Sequence, residues 1–178
     1  MNKQNTKKPA SPETPSLRVF FIDALKDIYW AEKNLCMTIP QMVKKSTSSV
    51  LREVLENHLG ETENQMVRLE QVFASIDENP VAKRCEAMEG IIREAELMMN
   101  ETNNGTKPLD AAIIASVQKI EQHEIAAYGT LRTIAEVLGF NQASELLTQT
   151  LEEEKKADQK LTEIAESYIK QSALNQGN

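Results

Sequence analysis

Ile120-Glu121-Gln122-His123-Glu124-Ile125-Ala126-Ala127-Tyr128 is the stretch whose reading decides the fold. It lies inside a long apolar pattern of helical period, yet two glutamates fall on the apolar stripe. Ile114, Val117, Glu121, Glu124, Tyr128, Leu131 and Ala135 step by three and four residues, so they share one helix face. Carboxylates facing a core are costly unless a cation, a proton or a hydrogen-bond network compensates them. The stretch therefore predicts a core helix that carries a polar function, and the rest of the chain narrows which one.

Outward from this stretch, the same pattern recurs three times. A first helix is expected over 16–45, capped by Ser16, with stripe Leu17, Phe20, Ala24, Ile28, Glu32, Leu35 and Ile39 and with Pro40 kinking it or marking its last turns. After a connection at Thr47-Ser48-Ser49, a second runs over 50–76, with stripe Leu51, Val54, Leu55, His58, Glu61, Thr62, Gln65, Leu69, Val72 and Phe73. The opening stretch belongs to a third, which starts after Pro108, with a cap near Asp110, and ends at Gly139. A fourth covers 141–172, with stripe Ala143, Leu147, Thr150, Glu154, Asp158, Leu161 and Ala165. Between the second and third lies a connection of 32 residues, 77–108, with a shorter helix near 81–99. Two hairpins joined by a long crossover predict an all-α, ferritin-like antiparallel four-helix bundle over 16–172. Residues 1–15 read as a disordered arm, and 173–178 as a polar tail.

Hairpin geometry places the acidic positions. Glu32 and Glu61 are 29 residues apart about the first turn, and Glu124 and Glu154 are 30 apart about Gly139. Residues equidistant from an antiparallel turn lie at one height, so each hairpin is expected to set two carboxylates side by side at mid-bundle. Glu121 and Asp158 extend the second pair by a turn. Four ionised carboxylates at one level would repel strongly. Two divalent cations would neutralise them, and oxygen donors favour iron or manganese.

Composition limits the alternatives. The formal net charge of the 178 residues is -7, which argues against nucleic-acid binding. No apolar run is long enough to span a bilayer. The polar N-terminus has no apolar signal core, so a cytoplasmic protein is expected. Cys36 and Cys85 are expected to be free thiols, Cys36 as a small core residue and Cys85 at the surface. His123 falls off the glutamate face and is expected at the surface. Within the run Glu152-Glu153-Glu154-Lys155-Lys156 only Glu154 is expected to point inward.

Several segments together resemble the YciE/YciF group of ferritin-like di-metal carboxylate proteins. They are Tyr29-Trp30-Ala31-Glu32-Lys33, His58-Leu59-Gly60-Glu61-Thr62, Glu121 to Leu131 and Glu153-Glu154-Lys155-Lys156-Ala157-Asp158; Arg84-Cys85-Glu86-Ala87-Met88-Glu89-Gly90 in the crossover adds to them. The resemblance implies two iron or manganese ions, with Glu32 as a terminal ligand and Glu61 as a bridge. Glu124 and Glu154 are their counterparts in the second hairpin. Glu121 resembles the additional third-helix glutamate of rubrerythrins, and Asp158 falls where the wider family often has histidine. The histidine expected after Glu61 is replaced by Asn64 or Gln65, which makes the site nearly all oxygen. Three readings stay open for His58: it ligates, it donates to a carboxylate, or it is a core histidine with an ordinary hydrogen bond; Tyr128 is expected to pack with a hydrogen-bonded hydroxyl. The resemblance further implies a bacterial stress setting, a homodimer, and oxygen or peroxide as redox partners. The competing expectation is a non-catalytic bundle that acts through dimerisation or a partner surface.

Overall fold

The computed structural model describes residues 16–175, with side-chain surroundings for 16–168. The expectations for 1–15 and for the last residues of the tail lie outside this range. The described residues form five helices: α1 Leu17–Lys45, α2 Ser49–Ser75, α3 Glu86–Glu101, α4 Lys107–Val137 and α5 Asn141–Asn175. Among the described residues no helix is long and apolar enough to cross a membrane.

Local chemistry sets the ends. The Ser16 side chain accepts from the Val19 amide and that of Ser48 from the Leu51 amide, which satisfies amide donors that the first helical turn leaves free. Pro40 lies inside α1, which continues through it to Lys45. Gly139 takes φ +76° and lets the chain reverse between α4 and α5 at no Cβ cost. The crossover helix starts later than the sequence predicts, at Glu86 rather than near Val81. The residues before it are tied to α1: the Lys83 amide donates to the Lys26 carbonyl at 3.0 Å, and its ammonium group meets Asp23 at 2.5 Å.

α1, α2, α5 and α4 form a ring in which each packs on the next, and α3 covers α4 and touches α1. Phe21 near the start of α1 meets Phe140 after α4, with ring centroids 5.9 Å apart. At the other end the Thr47 amide, after α1, donates to Asp110 in the first turn of α4 at 2.7 Å. α1 and α4 are thus antiparallel, and every neighbouring pair in the ring runs in opposite directions. This is the predicted four-helix bundle with a crossover helix.

The buried rows follow a strict alternation of four and three residues. In α1 the row is Phe21, Leu25, Ile28, Glu32, Leu35, Ile39 and Met42; in α2 it is Leu51, Leu55, His58, Thr62, Gln65, Leu69 and Val72. A 3.5-residue repeat keeps one seam facing the bundle axis along the full length of the helices. The row corrects the expected start of α1: Leu17 and Phe20 are exposed, and Phe21 is buried in their place.

Asp110 is not the cap of its own helix, which Thr106 precedes. It is fully buried and accepts from the Thr47 amide, from the Ser48 amide at 3.0 Å, and from the hydroxyls of Thr47 and Tyr168. Burial alone would raise its pKa, but the bonds from Thr47, Tyr168 and Ser48 outweigh that and hold the carboxyl below its usual value. One side chain thereby joins the α1–α2 turn to α4 and α5 and fixes the heights of the helices.

Candidate metal centre

Each long helix brings a titratable side chain to the middle of the bundle. Glu32 comes from α1, His58 from α2, Glu121 and Glu124 from α4, and Glu154 from α5. The four glutamates are between 0 and 1% exposed and His58 is 3% exposed. His58, Glu121, Glu124 and Glu154 each offer a donor atom, and these atoms all lie within 4.8 Å of one another. Glu32 sits beside them, close enough for its charge to be felt by Glu121 and Glu124. Its Oε1 accepts a hydrogen bond from the Tyr128 hydroxyl.

The electrostatics follow from burial. Removal from water pushes the Glu32 carboxyl well above its ordinary value; the Glu154 charge adds to the rise, and the Tyr128 hydroxyl opposes it. Burial first, and then Glu154 and Glu32, raise Glu121. Burial first, and then Glu32, Glu154 and Glu121, raise Glu124. The Tyr128 phenol is also pushed up, by burial and then by the charge of Glu32. These carboxyls are poised to take up protons or to share a cation.

The donors are unpartnered. Both oxygens of Glu121, Glu124 and Glu154, the Oε2 of Glu32 and both ring nitrogens of His58 are buried without a hydrogen-bond partner. His58 Nε2 lies 3.1 Å from Glu121 Oε1, near enough for ionic contact but poorly aligned for a hydrogen bond. An unsatisfied buried polar group costs about 1–3 kcal/mol, so folded proteins keep few. A concentration of them at one point fits cations bound by carboxylate oxygens and one imidazole.

The structure brings Glu32, Glu121, Glu124 and Glu154 together, as the spacing predicts, but not Glu61 or Asp158. The Glu61 side chain is 47% exposed, and its Oε2 lies 3.9 Å from His58 Nδ1. On α2 the inward steps run from His58 to Thr62 and Gln65, so Glu61 points about 70° away from the middle of that face. His58 takes the place expected of Glu61. On α5 the step of three from Glu154 reaches Ala157. Asp158 is half-buried and accepts from the Gln122 amide at 2.8 Å. Asn64 is exposed and donates to the Gly60 carbonyl of its own helix. Gln65 is buried, donates to Glu153 Oε2 at 3.2 Å, and leaves its Oε1 without a partner.

Other expectations are also revised. Glu153 is not merely solvated: Arg68 holds it with two hydrogen bonds of 2.7 and 2.8 Å. His123 is half-buried rather than at the surface; its Nε2 lies 3.7 Å from Cys85 Sγ, and burial lowers its affinity for a proton. Cys85 is buried, whereas Cys36 is only half-buried; both are free. Burial first, and then Glu32 and Glu63, push the Cys36 thiol up. The 4–3 alternation was the signal that separates Glu61 from His58.

Fold and site together define a helical bundle with a buried cluster of carboxylates and one histidine that can hold a metal. The chain belongs to the family described as Domain of unknown function (DUF892), whose pattern matches residues 16–174. Protein YciF of Escherichia coli K12 is 43% identical over 157 residues, which cover 87% of this chain and 93% of YciF. The solved structure of that protein, described as an E. coli stress protein, superposes with a TM-score of 0.84 at 39% identity, covering 88% of this chain and 99% of that one. YcfI of Rhodopseudomonas palustris, for which a structural role has been suggested, gives a TM-score of 0.81 at 38% identity, covering 86% and 97%. A protein of Xanthomonas campestris, 16% identical, shares the fold with a TM-score of 0.72 over 92% of this chain and all of its own.

Proposed function

We propose that this protein is a ferritin-like dinuclear metal protein of the bacterial stress response. Its ligands are Glu32, His58, Glu121, Glu124 and Glu154, and its ions are iron or manganese. The reading is carried by the buried, partnerless oxygens of Glu121, Glu124 and Glu154. A stress setting is supported by the similarity to E. coli YciF. When bound, such ions supply redox chemistry toward oxygen or peroxide.

The chain's own residues prepare the site. Tyr128 keeps a proton on the Glu32 side of the cluster. Ile28 and Leu35 flank Glu32 along its helix row, as Val117 and Leu131 bracket the α4 pair, and these buried side chains exclude bulk water. In that dry setting an ionic contact is stronger than at the surface. The charge of four carboxylates would be matched by two divalent cations. Without cations, the raised affinities of Glu32, Glu121 and Glu124 for protons provide the other way to quiet the cluster.

The test is elemental analysis of protein produced in iron- and manganese-supplemented cells and purified without a metal-affinity tag. About two ions per chain are expected, falling to nearly none in Glu124→Ala/Glu154→Ala. A metal-free wild-type protein, with carboxylic-acid bands in its infrared spectrum at neutral pH, would instead assign the cluster to protons.

A further inference from the structure

The carboxylate cluster is closed to solvent, so an ion must reach it through a seam between helices. The seam between α2 and α5 carries donor atoms at successive depths. At the surface lies a cavity of about 290 Å³ lined by Glu61, Asn64, Arg68, Gln149 and Glu153 among others. Beneath it is Gln65, 1% exposed, with its amide nitrogen on Glu153 and its Oε1 unpartnered. Two turns before Gln65 on the same helix row, His58 stands between Glu61 and the cluster. Its Nδ1 lies 3.9 Å from Glu61 Oε2 and its Nε2 lies 3.1 Å from Glu121 Oε1.

We propose that the α2–α5 seam is the entry path for divalent cations, with Glu61 as the capture group, Gln65 Oε1 and His58 as inner stations, and the Arg68–Glu153 ion pair as the latch. The inference rests on the metal-centre reading above. A hydrated cation is drawn to a negatively charged protein and meets the exposed carboxylate of Glu61 first. It can exchange water for protein donors one at a time, since His58 lies between Glu61 and Glu121 and Gln65 Oε1 offers a further free donor behind Glu153. Arg68 places a positive charge at the mouth and holds Glu153 aside with two hydrogen bonds, while donating a third to Thr150 Oγ1 at 2.8 Å. A cation at Glu61 competes with Arg68 for Glu153 and loosens the latch. This also accounts for a glutamate one step off the inward row: it lies too far out to ligate the centre, but where an entering ion would be collected.

Uptake kinetics and final occupancy separate this role from the centre itself. Metal-stripped full-length protein is mixed with Co²⁺ in a stopped-flow spectrometer, and the ions bound at equilibrium are counted by elemental analysis. Glu61→Gln is expected to slow uptake about fivefold and Glu61→Lys further, with the final number of ions unchanged. Arg68→Gln is expected to speed it. Unchanged rates in both Glu61 variants would place the entrance elsewhere. A lower final occupancy in Glu61→Gln would make Glu61 a ligand and overturn its role as a capture group. Slower or unchanged uptake in Arg68→Gln would refute the latch. Wild-type protein that binds no Co²⁺ would overturn the centre and its entrance together.

Discussion

Metal-stripped protein should melt about 10 °C higher once manganese, or iron under anaerobic conditions, is supplied at about a thousand times its dissociation constant. A ligand bound only by the folded state adds about 4 kcal/mol at that excess. For a chain of this size each kcal/mol moves the midpoint by about 2–4 °C. The effect should be large because the ion does two things at once. It gains carboxylate ligands, and it removes the repulsion among Glu32, Glu121, Glu124 and Glu154, which water cannot screen at their depth. Glu154→Ala should lose the shift while keeping the fold, since α5 retains its apolar row. A wild-type protein whose melting curve ignores both metals would contradict the site. Differential scanning calorimetry at fixed pH provides the measurement.

The metal-free protein should respond to pH and to mutation in the opposite sense to the loaded one. Glu32, Glu121 and Glu124 bind protons more tightly folded than unfolded, because burial penalises their charged forms. Their stabilising contribution is therefore complete below the ordinary carboxylate range and is lost as pH rises from there toward the raised folded values. Metal-free protein should thus be more stable near pH 5 than near pH 8. The loaded protein should weaken on acidification as protons displace the ions. For the same reason Glu124→Leu should stabilise the metal-free protein at pH 8 by about 2 kcal/mol, since replacing a buried charge with hydrocarbon often gains stability. The same change should abolish the metal-dependent rise. Urea titrations at the two pH values, with and without metal, test both signs. A metal-free protein more stable at pH 8 than at pH 5 would show that the carboxyls are not held as described.

Much of this was legible in the chain. The number of long helices, the crossover and the depths of Glu32, Glu121, Glu124 and Glu154 follow from apolar periodicity and from distances to the turns. The errors in the stripes share one cause. A single helix tolerates a step of three or four from any residue, so Glu61 and Asp158 could be read onto their stripes. The bundle imposes a stricter phase, a regular alternation that runs through His58, Thr62 and Gln65 on α2 and through Glu154 and Leu161 on α5. Held to that phase over the whole helix, Glu61 falls outside and His58 falls inside. The start of α1 failed likewise, where Phe20 and Phe21 are adjacent and only one can face the axis. Asp110 was misread for a different reason. An acidic residue near a helix start suggests a cap, and nothing local shows that its partners are Thr47, Ser48 and Tyr168. The Arg68–Glu153 pair was hidden in the same way, because its members are 85 residues apart.

Anomalous diffraction at the iron and manganese edges, from crystals grown with each metal, would show whether ions sit among the buried carboxylates. Two peaks roughly 3.5–4 Å apart are expected, enclosed by Glu32, His58, Glu121, Glu124 and Glu154. Maps without a peak at that place, or with ions only on surface carboxylates such as Glu61 and Asp158, would contradict the metal centre.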